Sequence, residues 1–159
     1  MNSHVALAVE PLLPGAELAS FARRHPQAGG IASFLGQVRA GDGEEAVLEL
    51  ELSHFAPLTL PGMEALANEA GKRWQLESLL IVHRVGSLLP GDPIVLVAAA
   101  ARHRREAFLA VDFVMDHLKS DAWFWKRERT KGGWRWVEPR LADHADLERW
   151  STAGASAQV

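Results

Sequence analysis

Two lysines in the C-terminal third of the chain occupy positions that suggest chemistry. Lys119 closes an amphipathic stretch that starts at Arg102, and Lys126 follows the aromatic run Trp123–Trp125. An ammonium group beside apolar surface loses hydration, and a second ammonium group nearby disfavours the charged form further. Such a pair can supply a base or an acid near neutral pH. The ordinary alternatives are a lysine that caps a helix C-terminus and a charge that protects an edge strand.

A basic cluster opens the same amphipathic stretch. His103, Arg104 and Arg105 stand where a long helix is predicted to begin, and the free N–H groups and the dipole at such an end favour an anion. A bound phosphate would offset the repulsion among these cations, although a solvated basic patch is an equal alternative. The segment Gln37–Arg39, at a strand end before a glycine loop, is a further candidate. A surface arginine is the ordinary alternative there.

The distance between these groups constrains the site. His103 and Lys119 are sixteen positions apart on one helix, which is roughly 24 Å at the usual rise per residue. A small ligand cannot touch both side chains within a single chain. If both serve one site, two copies of the chain must build it, and we therefore expect a symmetric dimer with two shared pockets.

Composition excludes several classes of function. The 159 residues, 48% hydrophobic and 23% charged, are typical of one soluble globular domain. The net charge of -3 argues against broad nucleic-acid binding, and the absence of cysteine excludes disulfides, thiolate metal sites and a cysteine nucleophile. No phosphate-binding glycine loop, serine-hydrolase elbow or metal-ligand spacing occurs, so we expect no cofactor and no metal. His54 and His83 lie in strand patterns and are interpreted as structural.

The apolar runs and the N-terminal sequence indicate where the protein is located, and the composition of the tail indicates where its domain ends. No apolar run is long enough to span a bilayer, and the N-terminus lacks a signal-peptide pattern, so a cytoplasmic location is expected. We expect one domain over residues 1–150. The small, polar tail over residues 151–159 is predicted to be disordered.

Alternating strand-like and helix-like patterns predict an α+β domain. The predicted strands are His4–Val9, Ile31–Arg39, Val47–Ser53, Leu79–Val85, Pro93–Ala100, Trp123–Arg127 and Trp134–Glu138. The predicted helices are Ala16–Arg24, Leu60–Trp74 with its start near Pro61, Arg104–Lys119 and a last turn over Asp146–Trp150.

Two apolar sets are predicted within these elements. Phe108, Val111, Met115 and Leu118 fall on one face of the long helix. The aromatic side chains of the last two strands are predicted to form a compact apolar layer, with a protein-binding surface as the alternative. They are Trp123, Phe124, Trp125, Trp134 and Trp136.

Six segments together carry a family resemblance. They are FLGQVR (34–39), the I-V-H-R-V-G and P-G-D pair (81–92), A-x-H-R-x-x-A-F (101–108), F-x-M-D-x-L-K (113–119), W-K-R-E (125–128) and R-W-V-E (135–138). In this order, over residues 30 to 150, the chain resembles the large, catalytic subunit of molybdopterin synthase, the MoaE family. Any one of the segments would be weak, whereas the combination is specific.

The resemblance implies an enzyme that converts cyclic pyranopterin monophosphate into molybdopterin by installing two dithiolene sulfurs. It implies that sulfur arrives as the C-terminal Gly-Gly thiocarboxylate of a small ubiquitin-like partner. A central homodimer would bind one small subunit at each end, as a heterotetramer. The implied fold is an α/β hammerhead-type domain with an additional antiparallel β subdomain. A cysteine-free chain agrees with this chemistry, because it cannot carry a persulfide and needs a sulfur carrier.

The resemblance also implies roles for individual residues. Lys119 and Lys126 match the catalytic pair. Arg39, His103 and Arg104 match substrate-binding residues, the last two reaching in from the other chain. Pocket-lining positions are matched by Gln37, Val38, Arg127 and Glu128. In our mechanistic hypothesis Lys119 transfers protons during sulfur attack and Lys126 holds the developing negative charge.

One segment departs from the family pattern. Where the family commonly has an H-Y-P-G-M-T-like run, this chain reads H-F-A-P-L-T over His54–Thr59, and Pro61–Met63 follows a little later. We interpret the difference as a local substitution at the start of a helix. It affects the contacts of that loop and none of the residues matched to the catalytic pair.

Two other functions compete with the enzyme. A noncatalytic module that binds a ubiquitin-like protein would keep the aromatic strand and could lose the basic groups, yet this chain keeps them together. A single-strand nucleic-acid binder would use the basic, tryptophan-rich strand, but the negative net charge and the lack of a basic stripe count against it.

The two-chain site predicts complementation between inactive chains. Mixing a His103→Ala chain with a Lys119→Ala chain is expected to restore activity, because one pocket of each mixed dimer receives both intact side chains. Activity is measured after demonstrating that mixed dimers form. Mixed dimers without activity would count against a shared site.

Overall fold

Two sheets and four helices make up the described part of the chain, residues 1–120 and 123–152 of a computed structural model. The strands are β1 (Asn2–Ala8), β2 (Gly30–Gln37), β3 (Glu49–His54), β4 (Ser78–Arg84), β5 (Gly86–Leu88), β6 (Pro93–Ala101), β7 (Phe124–Thr130) and β8 (Gly133–Val137). The helices are α1 (Pro14–Arg24), α2 (Ala56–Trp74), α3 (Arg104–Ser120) and α4 (Leu141–Thr152). The α+β fold class is confirmed. No helix in these two ranges is long and apolar enough to cross a membrane.

The first sheet has the order β1-β4-β6-β2 and holds the main core. Its central strands β4 and β6 are buried along nearly their whole length, as their continuous apolar runs predict. β1 runs parallel to β4, and the other neighbours are antiparallel. Because side chains alternate along a strand, Leu79 and Ile81 pack with α2 and α3, whereas Leu80 and Val82 pack with α1.

The second sheet is antiparallel, has the order β5-β3-β7-β8 and carries Lys126. Lys126 on β7 lies opposite Leu52 of the neighbouring strand β3. Leu50, Leu52 and Leu88 form a small separate core with Val38. The expected additional antiparallel sheet is therefore present, and its third strand holds one of the two candidate catalytic residues.

Helix α3 agrees with its predicted bounds within one residue, but one predicted core side chain is exposed. Val111, Met115 and Leu118 are buried, whereas Phe108 is 64% exposed. Phe108 is seven positions before the buried Met115 and only about 20° from it around the helix. The predicted face is therefore the buried one, but near the start of the helix Phe108 borders two cavities instead of packing in the core.

Helix α2 begins four residues before its predicted start. The chain becomes helical at Ala56 with Pro57 in the first turn, so Pro61 lies inside the helix rather than near its beginning. The side chain of Thr59 accepts a hydrogen bond from the backbone N–H of Phe55 at 3.1 Å. This bond satisfies one of the free donors of the helix start, which allows the earlier beginning.

The same threonine connects α2 to the start of β7. The fully buried Thr59 hydroxyl donates to the carbonyl oxygen of Trp123 at 2.7 Å. One turn later, Gly62 faces the indole ring of Trp123, and a Cβ atom at this glycine would lie 2.6 Å from a ring carbon. The segment that departs from the family pattern therefore contacts the residue just before the strand of Lys126.

The predicted compact aromatic layer does not form. Trp123 and Phe124 pack against the main core, but Trp125, Trp134 and Trp136 are 46%, 42% and 66% exposed. The reason is that β8 is an edge strand whose five residues are all exposed. An aromatic core forms instead from Trp74, Phe113 and Trp150, whose rings meet edge to face at 5.2 to 5.7 Å.

Helix α4 is longer than the single predicted turn, and its last residues fix it to α3. Trp150 is buried, and its indole N–H donates to a carboxylate oxygen of Asp116 at 2.6 Å. Arg149 forms an ion pair with the same carboxylate at 2.6 Å. The predicted disordered tail starts with two helical residues, and its remaining positions, 153–159, lie outside the described residues.

The close approach at Gly62 predicts a difference between two helical glycines. Gly62→Ala is expected to lower the free energy of unfolding by about 1–3 kcal/mol, because the added methyl group meets the indole of Trp123. Gly15→Ala in α1 meets no atom within 4 Å, and alanine there should be neutral or stabilise by up to about 1 kcal/mol. Urea unfolding of both variants measures the difference. Equal effects would show that the indole adjusts freely.

Candidate active site

Lys119 and Lys126 lie near one another at the junction between α3 and β7. Lys119 is exposed in the last turn of α3, and Lys126 is half-buried near the beginning of β7. Burial of Lys126 and the positive charge of Lys119 both lower the pKa of Lys126. The structure thus brings together the two lysines singled out in the sequence.

Burial is the main cause of the lowered pKa of Lys126. The positive charge of Lys119 lowers the pKa further, and the carboxylate of Asp143 opposes both effects. An ordinary lysine releases its proton far above neutral pH, so the lowered pKa brings the neutral amine closer to the physiological range. Lys126 is therefore better suited than a surface lysine to exchange a proton with a bound molecule.

A cavity of about 450 Å³ opens beside Lys119 between β2, α3 and α4. This volume is within the range of small-molecule sites. Its apolar wall includes Phe34 of β2 and Phe108 and Met115 of α3. Its charged side chains are Asp112, Asp116, Lys119, Arg140, Asp143 and Asp146. The apolar wall suits a flat ring. The four carboxylates outnumber the two cations, and Arg140 is paired with Asp143, so an anionic group on that ring needs cations from outside this lining.

Arg140 and Asp143, at the start of α4, line this cavity and bind one another. Asp143 is 9% exposed and accepts hydrogen bonds from the backbone N–H of Arg140 at 2.9 Å and from its guanidinium at 3.0 Å. Burial acts to raise the pKa of Asp143, but these hydrogen bonds outweigh it and the pKa is lowered, with a contribution from the charge of Lys119. Asp143 is therefore a carboxylate anion at neutral pH.

His83 lies under the strand of Lys126. Its ring is 5% exposed, stacks on Phe124 with centroids 3.9 Å apart, and its Nδ1 donates to the carbonyl oxygen of Arg84 at 2.8 Å. Desolvation lowers the pKa of His83 to about 4, and the charge of Lys126 contributes to the lowering. The imidazole is therefore neutral near pH 7, which agrees with its interpretation as a structural residue.

His103 and Arg104 lie away from the lysines, at the opposite end of α3. They line a second cavity of about 490 Å³ together with Arg105, Glu106 and Phe108. Within one chain the structure does not bring these residues to the lysine pair. This separation agrees with the helix length on which the two-chain prediction was based.

The segment Gln37–Arg39 begins at the last residue of β2, and backbone hydrogen bonds hold its middle residue. The N–H of Val38 donates to the carbonyl oxygen of Asp92 at 3.0 Å, and its own carbonyl accepts from Gly91 at 2.8 Å. The side chain of Val38 is buried in the core of the second sheet, whereas Gln37 and Arg39 are exposed. Val38 therefore orients its exposed neighbours, and its side chain does not reach a surface pocket of this chain.

Arg127 and Glu128 leave opposite faces of β7, since side chains alternate along a strand. Glu128 shares the face of Lys126 and pairs with Arg135 at 2.6 Å. Arg127 is on the other face, where its guanidinium makes two bonds of 2.8 and 3.0 Å to Glu51 and lies over Trp134. Within one chain Arg127 therefore points away from the lysine pair.

Phe34, Arg140 and Asp143 are among the cavity residues to which the sequence gave no role. The arginine and the aspartate are three positions apart at the start of α4, a spacing that is usual for helix capping and gave no separate signal of a site. Within the described ranges, no three His, Asp or Glu side chains converge in a way that could hold a metal ion.

Comparison with known proteins assigns the chain to a family. The sequence model described as "MoaE protein" matches residues 8–121. A molybdopterin synthase catalytic subunit of Ralstonia nicotianae is 47% identical over 145 residues, which are 90% of this chain and 82% of that one. A solved molybdopterin biosynthesis MoaE protein of Burkholderia ambifaria has a TM-score of 0.79 at 43% identity and covers 96% of this chain and 99% of its own.

A more distant solved structure extends the likeness of the fold. It is a complex of subunits 1 and 2 of molybdopterin-converting factor from Helicobacter pylori, with a TM-score of 0.69 at 18% identity, covering 87% of this chain and 90% of that chain. At this identity the likeness concerns the fold alone.

The two sheets and the lysine-bearing cavity define a small α+β enzyme domain. The chain belongs to the MoaE family, whose curated relatives are catalytic subunits of molybdopterin synthase. The recognition made from the six sequence segments is confirmed.

The neutral, buried His83 predicts a pH dependence of stability. Its pKa is about 4 in the folded chain against an ordinary value of 6.5, so the unfolded chain binds more protons between these values. Stability is fully present above pH 6.5 and falls by about 3 kcal/mol as the pH drops towards 4. In His83→Gln this part of the decrease in the free energy of unfolding at low pH should vanish. In His4→Gln, at an exposed histidine, the free energy of unfolding should depend on pH as in the wild type. Urea unfolding between pH 7 and pH 4.5 measures it, and parallel curves for all three chains would contradict the assignment.

Proposed function

We propose that this chain transfers sulfur from the C-terminal thiocarboxylate of a small ubiquitin-like partner to cyclic pyranopterin monophosphate, forming the dithiolene of molybdopterin. The observation that carries the proposal is the pair Lys119 and Lys126, with the pKa of the second lowered, beside a cavity of about 450 Å³. A pterin has the flat ring that the apolar wall of this cavity suits. The reaction takes place in the cytoplasm.

The two lysines divide acid–base work and charge stabilisation. Attack by the thiocarboxylate sulfur forms a carbon–sulfur bond and opens a carbon–oxygen bond of the substrate, whose oxygen takes up a proton. Water then cleaves the bond between the sulfur and the partner's acyl carbon, which leaves the sulfur on the pterin and releases the partner as a carboxylate. The lowered pKa of Lys126 favours this lysine as the proton donor. Exposed Lys119 then stabilises the developing negative charge, which reverses the division of roles inferred from the sequence.

A second copy of the chain supplies the phosphate-binding groups. His103 and Arg104 line a separate cavity at the far end of α3, and cations at a helix N-terminus that binds phosphate complete an anion site. Phe108 is 64% exposed and borders both cavities. An exposed apolar side chain in this position supports a contact between two copies, and the proposed dimer brings His103 and Arg104 of one chain to the lysines of the other.

The small partner delivers sulfur that the chain cannot carry itself. The sequence contains no cysteine, so a persulfide on this chain is excluded and a carrier with its own thiocarboxylate is needed. The partner's flexible C-terminal Gly-Gly segment has to reach Lys119, which lines the cavity, and the neighbouring Lys126. One small subunit on each chain of the homodimer makes a heterotetramer.

Reconstitution tests the function and its central residue together. The purified chain is mixed with a thiocarboxylated small partner and cyclic pyranopterin monophosphate, and molybdopterin is assayed. Product should form with the wild type and fall by about 10²- to 10³-fold with Lys119→Ala, which removes the group that stabilises the developing charge. Lys72→Ala, at an exposed lysine of α2, is the matched control and should keep full activity. A stable complex of the two proteins without product would favour a noncatalytic interaction module.

A further inference from the structure

Asp143 joins the end of α3 to the start of α4 at the lysine site. Its carbonyl oxygen accepts a hydrogen bond from the hydroxyl of Ser120 at 2.8 Å. Ser120 is the last residue of α3 and directly follows Lys119. The backbone of Asp143 therefore holds the helix end that carries one lysine, while its carboxylate remains close enough to act on the other.

The carboxylate of Asp143 interacts with different cations from those that pair with the neighbouring aspartates of α3. The charged groups around it are Asp112, Asp116 and Lys119 on α3, Lys126 on β7, and Arg140 and Asp146 on α4. Asp112 and Asp116 are paired with Arg149, at 2.8 and 2.6 Å. Asp143 interacts electrostatically with both Lys119 and Lys126. Because it is buried and anionic, its charge is weakly screened by solvent.

We propose that Asp143 is a positioning residue of the active site, which holds the lysine-bearing end of α3 and keeps the charge of the lysine pair in balance. The inference rests on the proposed function, since it assigns the residue that tunes the same two lysines. Asp143 itself need not touch the substrate. Its backbone carbonyl holds the hydroxyl of Ser120, and its carboxylate acts on Lys126 electrostatically.

A purely structural role is the competing explanation. Asp143 is three positions after Arg140 and accepts its backbone N–H, which is the ordinary hydrogen bond of a helix start. The variant Asp143→Asn separates the two explanations, because an amide oxygen can still accept that hydrogen bond whereas the negative charge is lost. Glu148→Gln removes a charge from an exposed position of the same helix and is the matched control.

The titration of the lysines is the first measurement. Labelling of Lys119 and Lys126 with an amine-reactive reagent is followed by mass spectrometry as a function of pH, without partner or substrate. In Asp143→Asn the curve of Lys126 is expected to move to lower pH, because the charge that opposes deprotonation is gone. Glu148→Gln and Asp143→Glu should follow the wild type. Identical curves for Asp143→Asn and the wild type in folded protein would overturn the proposal.

Turnover is the second measurement, and it distinguishes a failure of the proposed function from a failure of the role proposed for Asp143. In the reconstituted system the alkaline limb of the rate profile should move to lower pH in Asp143→Asn, with a loss of about three- to tenfold above neutral pH. A wild type that makes no product would refute the proposed function, while the labelling curves would still test Asp143. If Asp143→Asn does not fold, Asp143→Ser, whose hydroxyl can also accept from Arg140, takes its place in both measurements.

Discussion

The partial burial of Lys126 beside a second ammonium group is the constraint on which the site depends. Removing an ammonium group from water is unfavourable, and a like charge nearby adds to the cost. The strand pairs of β7 with β3 and β8 offset that cost, as does the hydrogen bond from Thr59 to Trp123 at the start of the strand. A lysine on a free loop would turn into solvent and regain its ordinary pKa. The second sheet therefore holds the ammonium group of Lys126 in a partly buried position that is unfavourable for a free lysine side chain.

The sequence predicts most of the elements because their periodicity is local. The buried runs of β4 and β6 and the amphipathic pattern of α3 have no strong alternative. The features that the sequence predicted wrongly depend on contacts between residues far apart in the chain. The early start of α2 uses the side chain of Thr59, and the exposure of Trp134 and Trp136 follows from the edge position of β8. Neither the partner of a strand nor the point at which a helix face leaves the core can be obtained from spacing alone.

The lysine pair was accessible to sequence reasoning for a different reason. Lys119 and Lys126 are close along the chain, so a helix end followed by a strand brings them together in any fold that keeps both elements. Arg140 and Asp143 reach the same cavity from a helix that packs back through Trp150 and Asp116. Nothing in the local pattern of these two residues distinguishes that role from helix capping.

The order in which the chain is made has a consequence for when activity appears. All four strands of the first sheet are complete at Ala101, whereas β7 and α4 come last. Their contacts join residues far apart in sequence, with separations of 64 for Thr59 and Trp123 and 76 for Glu51 and Arg127. Such pairings form late because long loops must close first. The main core also contains Phe113 of α3 and Trp150 of α4, so the first sheet is not complete in its packing until the end of the chain is present. A chain that stops before α4 therefore lacks both Asp143 and part of the core under the lysines, and it cannot consume the sulfur carrier.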